Sequence, residues 1–138
     1  MNDFLPPDIS PGDLLARFLK SKHWVRTSPN PAVKPDAFMP PTDLHLSVTR
    51  HLGLSEEALW EIGAEVVREI AEKQTAILLG RADFSAESIP PPLKALSAPL
   101  PRNRNHAHIV GWPPDKPSRK NLAQRIAAVA IYVPFAEI

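Results

Sequence analysis

The sequence predicts an α+β domain in which helices pack a small sheet of three or four strands. Three observations carry that prediction. A helical period runs through 56–73, where Leu59, Ile62, Gly63, Val66, Val67 and Ile70 fall on one face. Segments 44–49 and 106–112 are short apolar runs, the first with strict alternation, as half-buried strands show. A chain of 138 residues that is 43% hydrophobic and 22% charged is ordinary for one globular core.

The first 43 residues hold eight of the 17 prolines and sustain no period, so 1–43 reads as a Pro-rich N-terminal arm ahead of a compact domain over 44–138. One short helix is expected in the arm. Ser10 is a good N-cap, Pro11 suits the first helical position, and Leu14, Leu15, Phe18 and Leu19 recur as a docking stripe. In 44–49, Leu44, Leu46 and Val48 face one way, and His45, Ser47 and Thr49 the other. Ser55 caps the helix of 56–73, with Glu56 and Glu57 at the positive end of its dipole. An apolar run at 75–80 reads as a buried strand. Residues 83–102, with Pro90, Pro91 and Pro92, read as a connection holding at most a short helix near 92–97. A strand follows at 106–112, then a last helix capped by Ser118, and an edge strand at 131–133.

Composition excludes several chemistries. No cysteine is present, which removes disulfides, thiolate nucleophiles and Cys-ligated metals. Gly-rich phosphate loops, a Gly-x-Ser-x-Gly elbow and a His-Glu-x-x-His motif are all missing. With no long apolar run and no basic-then-apolar leader, a cytoplasmic chain without membrane contact is expected. The net charge of +1 conceals polarity: Arg102, Arg104, Lys116, Arg119, Lys120 and Arg125 face one acid, Asp115, whereas 56–73 is mostly acidic. Residues 102–125, with Trp112 for stacking, are the part through which nucleic acid would bind.

The candidate site rests on histidine. His45-Leu46-Ser47 and His106-Ala107-His108 each put two polar side chains on one face of an extended chain. One imidazole can take a proton while another gives one, so His45, Ser47, His106 and His108 suit phosphoester chemistry. Arg50, Arg104, Arg119 and Lys120 are the candidate anion-binding cations. A metal shared by His106 and His108, with His45 or His51 and Asp83, is the other use of these rings. Without a denser ligand cluster neither a metal nor a cofactor is expected.

The flanks of these motifs, Leu44-His45-Leu46-Ser47-Val48 and His106-Ala107-His108-Ile109, resemble the 2H phosphoesterases, whose two strands each carry His-x-Ser or His-x-Thr between apolar residues. That resemblance implies metal-independent phosphoester hydrolysis on RNA or a nucleotide, with His45 and His106 as acid and base. The second motif departs from it, because His108 stands where a hydroxyl belongs, and the chain is short for the family's two-lobed fold. The wider pattern, from Ser47-Val48-x-Arg50 to His106-Ala107-x-Ile109-x-Gly111-Trp112-Pro113, is similar to one carried by small bacterial proteins of no assigned activity. It implies a bacterial origin and a compact domain. With a Pro-rich arm and a polarised body, the first functional expectation is an accessory module that binds another protein or its own copy. Histidine-based phosphoester chemistry is the alternative.

Overall fold

The computed structural model describes residues 5–26, 29–71 and 77–135. In chain order these form β1 (Leu14–Leu19), β2 (Val25–Arg26), β3 (Ala32–Val33), β4 (Leu46–Arg50), helix α1 (Glu56–Ala71), β5 (Gly80–Ser85), β6 (Lys94–Ser97), β7 (His106–Val110), helix α2 (Lys116–Val129) and β8 (Ile131–Pro134). The fold is α+β, as expected, but its sheet is larger. Six strands run antiparallel in the order β6-β7-β4-β1-β5-β8, and β2 with β3 make a separate ribbon. The two extra strands come from stretches that sequence patterning assigned elsewhere.

The first is β1. Leu14–Leu19 is a strand in the middle of the sheet, and the helix expected there is absent. Leu15 and Leu19 enter the main core on one face, while Ala16 and Phe18 enter a second cluster on the other. A strand covered on both faces carries apolar residues on each, and five of the six in β1 are apolar, so its spacing also fits a helix. The residues read as a helix start instead make a turn, in which Asp13 N–H donates to Ser10 O at 3.0 Å. The second is β6, where a connection or short helix was expected. Segment 75–80 also differs: Thr75 and Ala76 lie outside the described residues, and strand β5 begins only at Gly80.

The two helices cover opposite faces. Leu122, Ala123 and Ile126 of α2 join Leu15, Leu46, Phe84 and Ile109 in the main core, which the 3₁₀ turn at Pro35–Phe38 closes with Phe38. Asp115, not Ser118, caps α2: its carboxylate accepts from Ser118 N–H at 2.9 Å. The cap thus sits before Pro117, which occupies the first turn, where no intrahelical donor is needed. Helix α1, capped by Ser55 accepting from Ala58 N–H, lies over Ala16 and Phe18 with Leu59 fully buried. It approaches most closely at Gly63, where a Cβ would stand 2.6 Å from the Phe18 ring. Only glycine permits that contact. No helix among the described residues is long and apolar enough to cross a membrane.

The hairpin from β6 to β7 is tied to β4 by two buried asparagines. Asn105 donates through Nδ2 to Arg50 O and Leu52 O, both at 2.8 Å. Asn103 donates to Thr49 Oγ1 at 3.0 Å and accepts from Asn105 N–H at 3.0 Å. An Asn105→Ala substitution strands two carbonyls beneath the hairpin. It is expected to lower unfolding free energy by about 2 kcal/mol in urea titrations. The exposed Asn121→Ala is expected to change it by less than about 0.5 kcal/mol.

Candidate active site

Antiparallel pairing of β4 with β7 sets Ser47 opposite His108 and Thr49 opposite His106. Because strand partners share a face, these four side chains project on the side of α1, away from the main core. His45 joins them from just before β4. Leu44 has a left-handed φ of 61°, and Asp43 Oδ1 accepts from His45 N–H at 3.0 Å. A left-handed leucine costs roughly 1–2 kcal/mol. The turn keeps Leu44 against the core while His45 stays exposed beside its neighbours.

Three imidazoles therefore form a row. The His106 and His108 ring centroids lie 4.6 Å apart, edge to face, and those of His45 and His108 lie 5.0 Å apart. His106 is buried, and its Nδ1 is 2.9 Å from Ala98 O. A carbonyl only accepts, so the proton is assigned to Nδ1, and Nε2 is left as the open nitrogen. His108 is pushed below the ordinary 6.5, first by burial and then by the charges that His106 and His45 would carry beside it; Asp43 opposes this weakly. The row thus holds one oriented ring and one ring kept neutral at pH 7.

Beside the row opens a cleft of about 540 Å³ between α1 and the sheet. Beyond Gly63 the helix side of the cleft carries Glu65, Val66, Glu69 and Ile70, and Leu100 to Asn103 of the hairpin stand on the opposite side. His106, Ser47 and Thr49 line it from the sheet, together with Arg17 and Lys20. The two basic residues and Asn103 were not among the expected site residues. Arg17 sits inside an apolar run, and nothing in its spacing signals a buried charge aimed at a cleft. Burial lowers Arg17 to about 10, and burial with the Arg17 charge lowers Lys20 to about 8. Glu65 and Glu69 are engaged with Arg68 and Arg102.

The expected anion-binding cations are not gathered here. Arg50 is fully buried on the other face, donating to Pro6 O at 2.7 Å and pairing with Asp13. Arg119 and Lys120 belong to α2, behind the sheet, and Arg119 donates to Pro113 O and Pro114 O. Arg104 is exposed in the hairpin. The basic residues of 102–125 are therefore divided between the two sides of the sheet. Trp112, expected to offer a stacking surface, is buried, with its indole N–H donating to Ile109 O at 3.0 Å.

A second polar cluster centres on β5, three strands along the sheet from the β7 strand of His106. Asp83 accepts from Arg81 Nε and lies 3.0 Å from His51 Nε2, while Arg81 also pairs with Glu56 and stacks 4.6 Å over Trp60. His51 and Arg81 hold the Asp83 carboxyl below its ordinary range. Arg81 and Asp83 lie on β5, with β4 and β1 between them and β7, while His51, just after β4, reaches across β1 to Asp83. Among the described residues, no group of three or more His, Asp or Glu is arranged to hold a metal ion.

The neutral His108 makes a prediction about pH. Its folded-state pKa is depressed, so the unfolded chain takes up the proton first. Its contribution to stability is complete above pH 6.5 and is lost as pH falls below that value. Urea midpoints between pH 7.5 and 5.5 are expected to fall more steeply for the wild type than for His108→Gln. Equal slopes would show that the ring is not held neutral. No protein-family model, curated protein or solved structure matches this chain, and the chemistry of the site rests on its own residues.

Proposed function

We propose that the cleft carries metal-independent phosphoester chemistry on a nucleotide-type ester, with His108 and His106 as the proton-transfer pair. The observation that supports this most is their contact: two imidazoles 4.6 Å apart, His106 lining the cleft and oriented by a main-chain carbonyl, and His108 behind it with its pKa lowered by burial and its neighbours. His108 takes the proton of the attacking hydroxyl as the new P–O bond forms. The bond to the leaving oxygen breaks, and His106, protonated on Nε2, gives that oxygen a proton. Ser47, exposed beside His108, supplies a hydroxyl donor for a phosphoryl oxygen. Thr49 accepts from Asn103, so its own hydroxyl proton is free to point into the cleft.

The test is turnover of nucleoside 2′,3′-cyclic phosphates and bis(p-nitrophenyl) phosphate with EDTA present. His108→Ala and His106→Asn are each expected to lower kcat by on the order of 10²–10⁴-fold while the thermal midpoint stays close to wild type. Asparagine at 106 is chosen because its amide still donates to Ala98 O. Turnover that is absent in the wild type, or equal in both variants, overturns the reading.

The expectation of an accessory module that binds its own copy draws support from the sheet edge at β8. Ile131 is 67% exposed there and Val129 just before it 53%. If two copies join edge to edge, Ile131→Lys is expected to convert a dimer to a monomer in sedimentation velocity. A wild type that is monomeric at all concentrations excludes this second reading.

A further inference from the structure

We propose that Arg17 and Lys20 form an anion subsite in the floor of the cleft, and that the ligand is a small phosphate monoester of nucleotide size. This rests on the reading of the cleft as a phosphoester site and names its ligand class.

The subsite arises from a defect in the sheet. Strands β1 and β4 pair at only two positions, Leu15 with Arg50 and Ala16 with Thr49. Past these the strands part, and the Arg17 guanidinium occupies the opening. Its NH1 donates to Ser47 O and its Nε to Ala37 O, each at 2.9 Å. The side chain is thereby fixed under the cleft, with the residue 8% exposed. Lys20 lies beside it, and both cations stand over the Trp24 ring, at 4.9 and 5.6 Å.

What sets Arg17 apart is the identity of its partners. The other buried arginines meet carboxylates: Arg50 meets Asp13, and Arg81 meets Asp83 and Glu56. Among the described residues neither Arg17 nor Lys20 has a carboxylate partner, and Arg17 is bonded to neutral carbonyls alone. A buried arginine beside a half-buried lysine, neither within ion-pair distance of a described carboxylate, is costly in the empty protein, and a visiting anion lowers that cost. Such preset charge binds an anion without reorganising. A phosphate monoester matches it, since its second ionisation lies near pH 6 and it carries close to two negative charges at pH 7. The apolar side chains of Phe18, Ile62, Val66 and Leu100 around the cleft suit the organic body. Its volume of about 540 Å³ fits a small molecule.

The probes are 5′-AMP, adenosine and inorganic phosphate, measured by calorimetric titration. Wild type is expected to bind 5′-AMP at least tenfold more tightly than adenosine, with phosphate competing. Lys20→Met and Arg17→Met are each expected to weaken 5′-AMP by roughly tenfold or more, as loss of a charge-assisted contact does. Arg17→Met also frees two carbonyls and risks folding. Lys20→Met removes a half-buried cation that has no carboxylate partner among the described residues, and is expected to keep or raise the thermal midpoint without ligand. Equal affinity for 5′-AMP and adenosine, or unchanged 5′-AMP affinity in Lys20→Met, overturns the subsite even if phosphodiesters are turned over. Binding that follows these expectations without turnover leaves the subsite standing and removes the catalytic reading.

Discussion

The register between β4 and β7 is the constraint on which the site depends. Side chains on a strand alternate with a period of two, so sliding either strand by one residue would send His106 and His108 to the opposite face from Ser47 and Thr49. Hydrophobic burial selects the register from below: Leu46 meets Ile109 and Val48 meets Ala107, all in the main core. Asn103 and Asn105 secure it at the hairpin end through Thr49, Arg50 and Leu52. Polar chemistry on one face is thus a consequence of apolar packing on the other. A buried amide whose groups are all satisfied has one acceptable arrangement, which is why the asparagines specify geometry as well as adding stability.

Charge burial is the second theme. Three arginines are buried within the sheet region, and each solves the desolvation problem differently. Arg50 spans from the sheet to the N-terminal segment through Pro6 and Asp13, tying that segment down. Arg81 lies between Asp83, Glu56 and the Trp60 ring and so links β5 to the start of α1. Arg17 fills the opening between β1 and β4 with carbonyl partners only. The first two meet their counter-charges locally, each with one buried nitrogen left without a hydrogen-bond partner among the described residues. The third has no carboxylate partner among those residues and lies against the cleft that His106 also lines. Hydrogen-bond acceptors thereby decide which arginine is structural and which is disposed toward a ligand.

Several features were legible from the residues alone. Alternation at 44–49 and the pair at 106 and 108 are local signals, and the strands they indicate do pair with their imidazoles on a common side. The amphipathic stripe of α1 and its Ser55 cap are equally local. What misled is physically coherent. A strand covered on both faces is apolar on each, so β1, apolar but for Arg17, lost the alternation that distinguishes strand from helix. Strand β5 runs from Gly80 to Ser85, so its second half fell in a stretch whose later prolines marked it as a connection, and its tie to α1 through Arg81 and Glu56 is a tertiary fact. Among the cations, Arg50 and Arg17 both looked available or unremarkable, since sequence reports charge but not the direction in which a guanidinium is drawn.

By itself the sequence determined what depends on nearest neighbours and short periods: which residues can form helix α1, which face of β4 is polar, and which chemistries are excluded for want of cysteine and glycine loops. Only the tertiary structure decided that β1 enters the sheet centre, that β1 and β4 part after two pairs, and that a cleft lies between α1 and the sheet. Those outcomes depend on contacts between residues far apart in the chain, where burial on both faces and the search for hydrogen-bond partners outweigh local preference.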